Sequence, residues 1–307
     1  MAVVTAAPSP LPVSAPQSKL ACWPQDRAAG EQDAPHYDYC LLPYTPRATT
    51  PSDLMSVNVL RWSWEAHGVL AEGEALLQRL RTALGPNQVV WGIKQRAHQP
   101  DATSWELYFY RRPHNPPNYT LARIAELFAP MSVEGVLADH WRWLMFSVEF
   151  DVQQLRGTRP CTSNVYIESS GLSYKLRAGQ PPDLENHYLF RDPLTGIDDI
   201  LARLQVSVHA TPDPLALARL LPPQWMRCHH VCVANKRFAD AVYWSRVDMH
   251  QLEFFLQRHA WPETLRDNIH DHRQQFQHLN WDIGVDFQRA ADDQNFMFIK
   301  SGLYGSC

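Results

Sequence analysis

Runs in which apolar and polar residues alternate constrain this chain most. Phe146, Val148 and Phe150 alternate with Ser147, Glu149 and Asp151. Leu172, Tyr174 and Leu176 alternate with Ser173, Lys175 and Arg177. Ile283, Val285 and Phe287 alternate with Asp282, Gly284 and Asp286, and Lys300, Gly302 and Tyr304 share one parity near the C-terminus. A strand sends successive side chains to opposite faces, so each run has an apolar face and a polar one. The polar faces either meet water or line a polar chamber.

Strands are expected at 89–94, 105–111, 143–151, 163–168, 172–177, 187–190, 230–236, 241–247, 280–287 and 295–303. Helices are expected from Ser52 to about Leu84 with a break near Gly68–Gly73, and at 121–128, 197–205, 214–220, 249–259 and 262–278. Strand pairs with short links are antiparallel hairpins. Helices recurring between them cover the apolar face, which gives an α+β fold built on one antiparallel sheet of about ten strands. Such a sheet can stay open with its charged face in water. It can also close into a barrel with the helices outside and the charges in the lumen. The closed form is the expectation taken forward, for a single domain over 53–307 preceded by a disordered tail and irregular lead-in over 1–52.

Composition narrows the function. A formal net charge of −4 argues against a non-specific nucleic-acid binder. No apolar stretch approaches a membrane span of roughly 18 residues. Residues 1–21 lack a charged leader and carry Pro8, Pro10 and Pro12, which break any apolar signal segment. With six scattered cysteines, a cytoplasmic protein with reduced thiols is expected. Cys228 and Cys232 flank His229 and His230, but no second ligand pair stands at zinc spacing, so no metal site is assigned. His270, His272 and His278 read as the polar face of a surface helix.

No glycine-rich phosphate loop, His-Glu-x-x-His or Gly-x-Ser-x-Gly occurs. Any active site must therefore be built from strand side chains. The charged faces offer Glu106, Glu149, Asp151, Glu168, Asp282 and Asp286, with Lys94, Lys175, Arg177, Lys236, Arg246 and Lys300. Lysines on separate strands of a closed sheet can converge on a diphosphate, whose oxygens each take a charge-assisted hydrogen bond. A carboxylate in the same chamber can stabilise a developing cation or act as a base. Solvation on an exposed sheet face is the plain alternative for each of these residues.

Three stretches carry a family resemblance. They are Val89-Val90-Trp91 leading to Trp105-Glu106-Leu107-Tyr108-Phe109, then Lys236-Arg237 followed by Val242-Tyr243-Trp244, then Lys300-Ser301-Gly302-Leu303-Tyr304. With the helix–strand–strand–helix rhythm, they resemble the soluble aromatic prenyltransferases of the ABBA, or PT-barrel, family. The resemblance implies ten antiparallel strands around a polar, aromatic-lined chamber. It implies transfer of an isoprenoid group from a diphosphate to an aromatic small molecule or peptide. Lys300 and Tyr304 would contact the diphosphate, with Lys236 or Arg237 beside them and Lys94 and Lys175 contributing. Glu149, Asp151, Asp282 or Asp286 would face the acceptor or its cation, and Tyr108, Tyr166 and Tyr243 the aromatic and isoprenoid groups. Metal-dependent members have an Asp where this chain places Tyr108, which implies a member that uses no required cofactor, although magnesium is compatible. The rival readings are a non-catalytic small-molecule-binding or accessory protein and a scaffold that recruits a partner.

Overall fold

A computed structural model describes residues 36–38, 42–45, 47, 50–85, 88–112, 115, 119–128, 131, 133, 142–167, 171–177, 179–210, 213–290 and 296–306. The expected tail over 1–21 and Glu168 lie outside the described residues. Two short strands come first, β1 (His36–Tyr37) and β2 (Pro43–Tyr44), paired with each other. Helices α1 (Val57–Ala66) and α2 (Leu70–Leu84) follow, then β3 (Val89–Arg96), β4 (Gln99–Tyr110), α3 (Leu121–Leu127) and β5 (Trp143–Phe150). Next are α4 (Val152–Leu155), β6 (Thr162–Ile167), β7 (Leu172–Leu176), β8 (Asp183–Arg191), α5 (Ile197–Gln205) and α6 (Pro214–Leu220). The chain continues through β9 (His230–Lys236), β10 (Asp240–Val247), α7 (Met249–Arg258), α8 (Glu263–Asp271), a 3-10 turn (Arg273–Phe276), β11 (Trp281–Gln288) and β12 (Met297–Ser306).

The sheet closes. Strands β3 to β12 form a ten-stranded antiparallel barrel in chain order, and β12 pairs with β3 to complete the ring. All ten expected strands are its staves. The expected lead-in holds β1 and β2, which are too short to carry periodicity. The helix expected over 262–278 divides, because α8 stops at Asp271 and the chain tightens into the 3-10 turn.

Two apolar layers result. The outward parity of the staves other than β8 joins the helices in one large core that includes Trp91, Trp105, Phe146, Val148, Trp244, Ile283 and Leu303. Several of its indole N–H groups find partners, while among the described residues those of Trp62, Trp64 and Trp244 are buried without one. Trp105 donates to Ser63 Oγ of α1 at 2.9 Å, and Trp261 to Ser301 Oγ of β12 at 2.9 Å. A satisfied donor lets each ring bury its full apolar area, worth roughly 5 kcal/mol before entropy. The inward parity forms a separate, smaller cluster of Tyr108, Tyr110, Tyr166, Tyr243, Tyr304 and a few small residues. No helix among the described residues is long and apolar enough to cross a membrane.

Candidate functional site

Register places the charged parities inside the barrel. Tyr304 of β12 faces Gly92 of β3, Gly92 faces Glu106 of β4, and Glu106 faces Glu149 of β5. Lys300 lies across from Asp286, and Asp286 from Ala241. Side chains that the sequence scatters therefore meet in one lumen.

Glycines make room for the tyrosines. A Cβ on Gly92 would stand 2.7 Å from Cδ1 of Tyr304, and a Cβ on Gly284 would collide with the Tyr243 ring. Tyr304 thus lies across bare backbone, with its ring centroid 6.0 Å from Tyr108 and 6.1 Å from Tyr243, both edge-on. Such tilted pairs are the favoured aromatic geometry.

The ions form two linked groups. Lys94 is paired with Glu106 and, at 3.1 Å, with Glu149. The Tyr108 hydroxyl donates to Glu106 at 2.6 Å, and Ser104 donates to Glu149 at 3.0 Å. In the second group Asp286 accepts from Lys236 at 2.9 Å and pairs with Lys300 at 3.0 Å. Lys236 also donates to the Tyr243 hydroxyl at 2.9 Å. The three lysines therefore stand against three carboxylates, and the lumen cluster is electroneutral.

Burial and these partners set the protonation states. Burial opposes ionisation of Glu149, but Lys94 and Lys300 outweigh it and hold its pKa at about 2. Burial opposes Asp286 too, and Lys236 and Lys300 hold it at about 2. Lys94 is also penalised by burial, yet Glu106 and Glu149 raise it well above the usual lysine value. Burial lowers Lys236, with Asp286 pulling the other way and Lys300 adding repulsion. Burial raises Tyr108, Tyr243 and Tyr304 well above the usual phenol value, so all three stay neutral donors at physiological pH.

Other expected site residues take different places. Tyr166 is in the lumen, packed on Tyr188 at 5.7 Å. Lys175 faces inward across from Asn164, half-buried on the wall formed by β7, and does not join the lysine cluster. Asp282 is inward and buried, but its Oδ1 accepts the backbone N–H of Arg246 at 2.9 Å. Arg246 has a left-handed backbone (φ 57°) at the bulge in β10, so Asp282 clamps that irregularity. Arg246 in turn reaches Asp38 at 2.7 Å, which ties β1 and β2 to this end of the barrel.

Asp151 leaves the lumen. The strand ends at Phe150, and Asp151 caps α4 by accepting from the backbone N–H groups of Gln153 and Gln154, while its own N–H donates to Oε1 of Gln154. Its carboxylate pairs with Arg159 outside. Arg237 also lies apart, on the β9–β10 turn, where it meets Asp183 at 2.6 Å and covers the exposed Phe238 ring.

Glu106 carried no assigned role in the sequence, although its parity with Tyr108 placed it on the charged face. Asn186 and Tyr188 are also lumen residues, joined by a 2.8 Å hydrogen bond. Both parities of β8 mix polar and apolar residues, so it is the register against β9, not alternation, that finds them.

The lumen does not suit a bound magnesium ion. Glu106 and Glu149, which face each other across β4 and β5, already share the Lys94 ammonium, which stands where a divalent cation would be. No group of three or more metal-ligating side chains occurs among the described residues. The arrangement can bind an anion through lysine hydrogens, solvate a cation on tyrosine faces, and accept a proton on an ionised carboxylate. No protein-family model matches the chain, and no curated protein matches it.

Proposed function

We propose that the lumen is the reaction chamber of a transferase that moves an isoprenoid group from a diphosphate donor to an aromatic acceptor, a small molecule or a peptide. The observation that carries this reading is the convergence of Lys94, Lys236 and Lys300 inside an enclosure walled by Tyr108, Tyr243 and Tyr304. Among the described residues Lys300 makes one ion pair, and its side chain is 30% exposed, so it is the lysine with hydrogens to offer an incoming diphosphate. Lys236 and the Tyr304 hydroxyl complete the anion site.

In the reaction, the bond between the allylic carbon and the diphosphate oxygen breaks, and its electron pair leaves with the diphosphate. Lysine charge stabilises that leaving group. The allylic cation rests against tyrosine faces, whose quadrupoles attract it. A carbon of the acceptor ring then bonds to the cation, and the ring proton passes to Glu149, which is ionised and half-buried. The closed wall and its buried tyrosines limit the water that would otherwise capture the cation.

One observation favours a non-catalytic binder instead. All three lysines already have carboxylate partners, so the cluster is satisfied without an anion and suits a neutral polar ligand. Titration calorimetry with dimethylallyl and geranyl diphosphate, with and without magnesium, separates the readings. The transferase reading expects metal-independent binding that weakens about tenfold or more in Lys300→Ala, and a prenylated product with an aromatic acceptor. No heat in the wild type, or unchanged binding in the variant, would exclude it. Binding of either diphosphate without turnover favours the binder.

A further inference from the structure

A cavity of about 770 Å3 lies outside the barrel wall, at the rim made by the β3–β4 hairpin. Arg96 comes from the hairpin, Arg219, Arg258 and His259 from the ends of α6 and α7, and Phe296 and Phe298 from the start of β12. Phe298 faces this side because a bulge separates it from Lys300. Lys300 pairs with Asp286 inside the lumen, while Phe298 pairs with the outward Phe287.

Among the described residues, three guanidinium groups border this cavity and no carboxylate does. Arg219 and Arg258 are neighbours, with Nη2 of Arg258 donating to the Arg219 carbonyl at 3.3 Å. The carbonyl ends of α6 and α7 offset roughly half a charge each. Among the described residues the site is net positive, in contrast to the balanced lumen cluster. Arg219 lies over the Phe296 ring at 5.0 Å, and Phe296 packs edge-on against Phe298 at 5.2 Å. Phe296 itself is buried, so the partly exposed Phe298 is the ring that the cavity presents beside these cations. Cavities of roughly 300–1,000 Å3 hold organic ligands, well beyond what one inorganic ion needs.

We propose that this cavity binds an organic anion, with a phosphate, sulfonate or carboxylate on the arginines and a ring or other apolar body against Phe298. The site uses none of the lumen lysines, so it stands or falls independently of the transfer reaction.

The probe is phenyl phosphate, titrated into the full chain by calorimetry at low salt. Wild type is expected to bind it more tightly than inorganic phosphate, with affinity falling as salt rises. Arg219→Gln/Arg258→Gln is expected to weaken binding by about tenfold or more, since each charge-assisted contact contributes on that order. Lys300→Ala is expected to leave it unchanged. Circular dichroism melting checks that the variants fold, and Arg96→Gln on the exposed hairpin keeps the test open if the double variant does not. No heat in the wild type, or arginine variants that bind normally, would overturn the proposal. So would loss of binding in Lys300→Ala alone, which assigns the heat to the lumen. Equal affinity for inorganic phosphate would overturn the ring-bearing ligand.

Discussion

Asp286 holds two lysines at once, and its removal tests the charge balance of the lumen. In Asp286→Asn, Lys236 and Lys300 keep their positions but lose their shared carboxylate. Asp286 titrates at about 2 in the fold against 3.8 ordinarily. That difference corresponds to about 2 kcal/mol of stability. Because the folded pKa is depressed, this stability is present above pH 3.8 and is lost as pH falls toward 2. Breaking a buried ion pair costs about 3–5 kcal/mol, and the partial exposure of Lys300 reduces that. The variant should therefore unfold in urea with about 2–4 kcal/mol less stability at pH 7. It should also show a shallower loss than wild type between pH 4 and pH 2. Its lumen carries one extra positive charge, so inorganic diphosphate should bind on the order of tenfold more tightly and restore part of the lost stability. A variant within ~0.5 kcal/mol of wild type at pH 7, the range of ordinary surface substitutions, would refute the role of Asp286. So would an acid transition equally deep in both proteins.

Three further outcomes are expected. Gly284→Ala should cost about 1–3 kcal/mol by pushing a methyl into the Tyr243 ring, and adding Tyr243→Ala should cost less than the sum of the two changes in urea melts. A double-mutant cycle of Lys94→Met with Glu106→Gln should give a coupling above about 1 kcal/mol, since both groups are buried and in contact; additive costs would deny the pair. Burial pushes the Cys161 and Cys228 thiols up to about 12, so peptide mapping after iodoacetamide at pH 8 should find both labelled far more slowly than in the unfolded chain.

Much of the barrel is written locally. Alternation alone marks the staves, because period two survives wherever one face is packed under helices and the other is polar. Alternation does not say where a strand stops. The run ending at Asp151 keeps its parity through the last residue, yet Asp151-Val152-Gln153-Gln154 is also a capping box, and the cap wins. Lys236 and Arg237 are adjacent, so a strand can aim only one of them inward, and the turn takes Arg237. The pairing of Lys94 with Glu106 and Glu149 depends on register across three strands, which no single run contains. The outer arginine cavity depends on two helix ends and a bulge meeting at one rim, and composition carries no trace of that.

The ring closes between its first and last staves, with Val90 set against Ser306 and Tyr304 against Gly92. During synthesis β3 must wait with an open edge while every other stave is made. The contacts that finish the barrel are thus its most distant in sequence, and such topologies fold slowly. The waiting edge is a site for mispairing or aggregation until β12 arrives. A chain cut before β12 would keep its helices and most hairpins, yet expose two unpaired edges and have no sealed interior. Folding yield, more than contact energy, would then govern how much functional protein a cell obtains.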